Sequence, residues 1–168
     1  MPLLSEIRTQ LIRNHNNIRV QHKLNPLSAL GSLMTAADSH ALWMAKNKRM
    51  SHTGESNSTF VERIIRAGAS HFFAAGENIA SGYAGVTAVM DGWMRSSGHR
   101  ANILGNAYTH IGVAVELNGK TPYWCCVFAK MSINIQSAIE EDHQPLTIHF
   151  ELPPGLEGLV PDSDIIEG

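Results

Sequence analysis

The chain is short of cysteine, of long apolar runs and, after residue 130, of positive charge, and each shortage removes a class of protein. Only Cys125 and Cys126 are present among 168 residues, and they are adjacent. On a strand they would point to opposite faces, and a bond between neighbours is strained. They read as two buried thiols acting as small hydrophobes, with no disulfide framework. No stretch of 18 apolar residues exists, so no membrane span is expected. The opening MPLLSEIRTQLIRNHNN has no charged start followed by an apolar core, so no signal peptide is expected, and a cytoplasmic chain and a mature exported form both fit. Catalytic signatures are also lacking. There is no GxSxG elbow, no HExxH, and no histidine near either cysteine in sequence.

What is present bounds the rest. A hydrophobic content of 43 % over 168 residues supports one globular core without staples. The net charge of −2 argues against a nucleic-acid binder. That total hides an asymmetry. All 13 Lys and Arg lie at or before Lys130 against 7 acidic residues, leaving +6, and 8 acidic residues follow, leaving −8. A basic body with an acidic tail attracts itself, which raises the idea that the tail regulates the body.

Periodicity orders the elements. Leu4, Ile7, Leu11, Ile12 and Ile18 predict an amphipathic helix over about 3–22, ended at LNPL by Pro26. Leu30, Met34, Ala37, Ala41, Met44 and Ala45 predict a second over about 29–48. SHTGESNS (51–58) reads as a loop, with Ser58 capping a short helix through Phe60, Ile64 and Ile65 that stops at Gly68. Glu62 on that helix reads as a surface residue. AGENIASGY reads as short extended or irregular chain. A fourth helix is expected over 86–94, then His99 on a tight turn and a further helical turn at ANIL. THIGVAVELNGKTPYWCCVFAK carries two apolar strands around Asn118-Gly119, a hairpin signature. Helices first and a hairpin last indicate an α+β fold. In the tail, TIHFEL (147–152) alternates like a strand, and the Pro-, Gly- and acid-rich end resembles a flexible arm.

Candidate chemistry centres on His52, Glu77 and His99, each at the end of an element and flanked by glycine. Two neutral imidazoles and a carboxylate suit a divalent ion such as zinc, and the same trio suits proton transfer or a structural hydrogen-bond cluster. Spacing alone does not choose among these. His15, His22 and His40 read as residues on solvated helix faces, His143 and His149 as tail residues, and His110 as the start of a strand. Trp93 and Trp124 are expected to be buried, and Asn78 to bond backbone across the turn.

NPLSAL, AxxHAxWM at 37–44, SHTG, AGENIA, GWMRSSGHRANIL, THIGVAV and PYWCCVFA together resemble the CAP superfamily. This is the family of cysteine-rich secretory, antigen 5 and pathogenesis-related proteins, also called SCP-like, and the resemblance is to its bacterial, cysteine-poor branch. It covers about residues 5–130, so the expected division is an SCP-like domain at 1–132 and an acidic extension at 133–168. The resemblance implies a three-layer α-β-α sandwich with a central antiparallel sheet and an open cleft. It also implies a cleft tetrad of two His and two Glu able to hold a divalent cation. His52, Glu77 and His99 match three members, and Ser96 stands where the second carboxylate would be. One anion fewer implies a weaker site that fills only when the imidazoles are neutral. By the same resemblance the expected location is extracellular or at the cell envelope. The expected function is non-catalytic recognition of a ligand, lipid or peptide with no required cofactor, and the alternative is a zinc-dependent hydrolase using the same three residues as its catalytic centre.

Overall fold

The computed structural model describes residues 4–132. The strand expected at 147–152, the acidic extension, His143 and His149 lie outside these residues. The described order is α1 (Leu4–Gln21), β1 (Ser28–Ala29), α2 (Gly31–Asn47), a 3₁₀ turn (Glu55–Asn57), α3 (Phe60–Arg66), β2 (Phe72–Ser81), α4 (Val86–Arg95), α5 (Ser97–Ile103), β3 (His110–Asn118) and β4 (Thr121–Met131). One four-stranded sheet runs β1-β3-β4-β2, with helices on both faces. The α+β sandwich expected from the sequence is present. Its sheet is antiparallel except for β1, a two-residue strand that pairs parallel to β3 through Ser28 and His110. That pairing takes Ala29 out of the second helix, so α2 starts at Gly31 rather than near 29.

The pleat sorts the core into two halves. Trp124, Cys126 and Phe128 of β4 meet Leu11, Val89, Met90 and Trp93 on the α1/α4 side. Tyr123, Cys125, Val127 and Ala129 meet Leu33, Ala36, Ala37, Ala41, Met44 and Ile64 on the α2/α3 side. The alanine stripe brings the α2 backbone unusually close to β3. A Cβ at Gly112 would stand 2.1 Å from the Leu33 carbonyl carbon, so only glycine fits there. Trp93 and Trp124 are 1 % and 2 % exposed, as expected.

Three local expectations are corrected. The cap of α3 is Thr59, not Ser58. Its hydroxyl accepts from the Glu62 N–H while the Glu62 carboxylate accepts from the Thr59 N–H, so Glu62 is half of a capping box. In the hairpin Asn118 pairs with Thr121, which leaves Gly119-Lys120 as the turn. Positive φ falls on Gly119 (61°), the demand of a II′-type turn. Finally, AGENIAS (75–81) belongs to β2, a ten-residue edge strand paired with β4 from Phe72 to Ser81.

Candidate functional site

Register on β2 positions the site. Glu77 faces Val127 and Asn78 faces Cys126 across the ladder, so consecutive side chains leave the strand on opposite sides of the sheet. Both are buried, Glu77 at 5 % and Asn78 at 0 % exposure.

Glu77 enters the α2/α3 side and its two oxygens are both engaged. Oε1 accepts from His52 Nδ1 at 2.8 Å and Oε2 from Arg63 Nη2 at 2.6 Å. The Cys125 thiol donates to Oε2 at 3.7 Å, and His40 Nε2 lies 4.0 Å from Oε1. Burial alone would raise the pKa of Glu77. The His52 hydrogen bond, the charges of Arg63 and His40, and the Arg63 hydrogen bond outweigh it and hold the carboxyl below its ordinary value. Arg63 is fixed further by donating to the Ser58 and His52 carbonyls, at 2.8 and 3.1 Å.

A carboxylate can only accept, so His52 donates through Nδ1, and in the singly protonated ring Nε2 is then the lone pair. The His52 side chain is 57 % exposed. His99 is not on a turn but inside α5, because SSGHRANI continues as helix beyond Ser96. Its carbonyl accepts from Asn78 Nδ2 at 3.0 Å, and Asn102 of the same helix donates to Asn78 Oδ1 and to the Glu77 carbonyl. Asn78 therefore bonds backbone as expected, and it ties α5 to β2. Burial, and then the charge of His52, lower the pKa of His99, while its Nδ1 is buried without a partner. The structure thus joins His52 and Glu77 directly. Among the described residues His99 makes no side-chain hydrogen bond to either.

Among the described residues no group of three or more His, Cys, Asp and Glu side chains is arranged to hold a metal ion. Each Glu77 oxygen already accepts from one of the protein's own donors, His52 at Oε1 and Arg63 at Oε2. Both thiols are free and fully buried; burial, and then the charge of Glu77, push them well up, so neither is a nucleophile at neutral pH.

Two histidines expected on solvated faces are buried instead. His40 is 1 % exposed, donates through Nε2 to the Ser51 carbonyl at 2.8 Å and stacks on Trp43 at 5.7 Å. His15 is 0 % exposed, packed between Trp93 and Phe128. Their helices bury a stripe that includes them, and apolar periodicity leaves a histidine out of that count. Arg63 is the residue that sequence reasoning missed. Nothing in RIIR separates it from its exposed neighbour Arg66; the signal is that Ile64 beside it is core, which turns Arg63 inward.

Fold and residues together define an SCP-like domain. Residues 12–128 match the model of the CAP family, described as the cysteine-rich secretory protein family, and the chain belongs to that family. It is 36 % identical over 107 residues to an uncharacterized membrane protein, YlbC, of Bacillus subtilis, covering 64 % of this chain and 31 % of that protein. It is 30 % identical over 116 residues to an uncharacterized B. subtilis protein, YkwD, covering 69 % and 45 %. The chain therefore spans less than half of either relative. Among solved structures it resembles an extracellular SCP-domain protein of Bacillus anthracis, with 28 % identity, a TM-score of 0.69 and coverage of 77 % of this chain and 45 % of that one. An outer surface protein of Borrelia burgdorferi shares the fold at a TM-score of 0.72 and 21 % identity, over 78 % and 97 % of the two chains.

Proposed function

We infer that the chain is a non-catalytic recognition domain of an extracellular or cell-envelope protein, with the exposed His52 imidazole as the contact group of its Glu77-centred cluster. One observation carries this. Both Glu77 oxygens are engaged by the protein's own cations and donors, so the carboxylate acts as a clamp that orients His52. The lone pair left on His52 takes a ligand that brings a donor, such as a peptide N–H or a hydroxyl. His52 Nε2 and His99 would also be the protein donors to a divalent ion, with Glu77 behind His52, a set too small for tight zinc binding. Among the described residues no activated nucleophile or oxyanion donor accompanies them. A lipid ligand has a separate location with room for it, an apolar hollow of about 810 Å³ lined by residues that include Leu4, Ile7, Val86, Val115, Leu117 and Trp124.

The test sets recognition against hydrolysis. The full chain is incubated with casein, with and without zinc, while zinc binding is titrated calorimetrically at pH 5.5 and 7.5. The expected result is no casein turnover and weak zinc uptake at pH 7.5 that His52→Ala and His99→Ala each abolish. Zinc-dependent turnover lost in His52→Ala would overturn the proposal in favour of the hydrolase.

A further inference from the structure

We propose a second, separate ligand site on the α2–α3 pair, a groove of about 240 Å³ that takes a neutral polyhydroxy molecule the size of a single sugar ring. Its lining includes Ser39, His40 and Trp43 of α2, Ser58 of the connecting loop, and Arg63 and Arg66 of α3. That volume lies below the range of drug-sized pockets, which sets the size of the occupant.

Two lining residues hold polar atoms that the protein leaves unsatisfied. His40 Nδ1 and Ser58 Oγ are buried without a hydrogen-bond partner, and each residue is only 1 % exposed. Such groups are rare because each costs the desolvation of a polar atom with nothing in return. The two atoms are also close together. A Cβ built on Gly54 would stand 3.0 Å from His40 Nδ1, 3.1 Å from Ser58 Oγ and 2.9 Å from Arg63 Nη1. A side chain at this buried position would crowd all three, which favours glycine here.

The chemistry of the missing partner follows from the tautomer of His40. Its Nε2 donates to the Ser51 carbonyl, so Nδ1 of the neutral ring accepts. Burial, the leading influence on this ring, lowers its pKa, while the charge of Glu77 opposes that shift. An aprotic anion such as sulfate offers that lone pair no donor, whereas a hydroxyl donates to it and accepts from Ser58. Arg66 and Glu55 on the exposed rim add one donor group and one acceptor group of opposite charge, which suits a ligand with no net charge. Trp43 supplies an aromatic surface for the C–H face of a ring. The groove shares His40 and Arg63 with the Glu77 cluster, but this proposal stands without the recognition role assigned to His52.

The experiment is an NMR titration of the full chain with D-glucose and with N-acetylglucosamine, using inorganic sulfate as the anionic comparator. A ligand this small should bind with Kd on the order of 1 mM. Saturable shifts are expected at the Trp43 indole N–H and the Ser58 amide, with none from sulfate. Ser58→Ala should weaken the sugar about fivefold, the loss of one hydrogen bond, while the thermal midpoint holds or rises because an unsatisfied hydroxyl has gone. Trp43→Ala should weaken it as well. No saturable shift with either sugar, sulfate binding at the same residues, unchanged sugar affinity in Ser58→Ala, or a lowered midpoint in that variant would each overturn the proposal.

Discussion

Glu77 and Asn78 are neighbours on one strand, and the two sides of the sheet they enter are built on different physics. On the α2/α3 side Glu77 is an ion held by Arg63, His52 and a thiol, with His40 beside it. On the α5 side Asn78 is a neutral amide that bonds a carbonyl and a second amide, Asn102. Each sheet face also buries a histidine. His40 lies near the carboxylate, and His15 lies in hydrocarbon between Trp93 and Phe128. A buried ion depends on its partner far more than an amide does, because an unpaired charge in a dry interior has no cheap alternative. The charged side should therefore be fragile to single substitutions and the neutral side forgiving.

The sharpest way to break this comparison is Arg63→Ala. It leaves Glu77 without its strongest cation and should cost about 3–5 kcal/mol, read from the urea midpoint at constant m-value. Removing both charges together, as Arg63→Met with Glu77→Leu, should recover most of that loss, since a packed apolar pair does not need compensation. If Arg63→Ala costs no more than about 1 kcal/mol, the two sides do not differ in the way described.

How much of this could be read from sequence follows from the same contrast. The α2 alanine stripe, the hairpin strands and the burial of Trp93 and Trp124 were legible because apolar residues at a fixed period have one cheap solution, burial. His52 and Glu77 were legible as candidates because glycine-flanked polar residues are expensive to place without purpose. The partners of Glu77 were not. Arg63 and His40 lie on helices whose period is set by Ile64, Ala37 and Ala41, and a polar residue inside such a stripe looks the same in sequence whether it is buried or solvated. β2 was missed for a related reason. Glu77 and Asn78 are polar on both faces, so no alternation marks the strand, and its ladder partner β4 lies about 50 residues later. His99 was misplaced because Ser96-Ser97-Gly98 reads as a turn, yet Ser96 closes α4 and α5 begins at the next residue.

His15 sharpens the comparison through pH. Burial, the leading cause, lowers its pKa to about 4 against an ordinary 6.5, and the Leu11 carbonyl bond only partly offsets this. The unfolded chain then takes up the proton first as pH falls. Stability from this group is complete above about pH 6.5 and is lost between there and pH 4, by about 3 kcal/mol in all. Urea midpoints measured across that interval should fall in the parent and fall less in His15→Leu. His40 sits beside a carboxylate that favours its charged form, so it should contribute less to the slope. An equal acid limb in the parent and in His15→Leu would show that the apolar side does not govern it.

The smallest effect is expected where the network is neutral. Asn78→Ala removes the bond to the His99 carbonyl and leaves one Asn102 amide proton seeking another acceptor, which the Glu77 carbonyl already supplies. The cost should be about 1–3 kcal/mol, the range for a buried hydrogen bond whose partner loses its mate. Because α5 is tied to β2 mainly through these amides, the loss should be local. Amide exchange should quicken across 97–103 and stay unchanged across α2. A loss as large as that of Arg63→Ala, or exchange that quickens equally in α2, would mean that the amide side is as tightly coupled to the whole fold as the charged one.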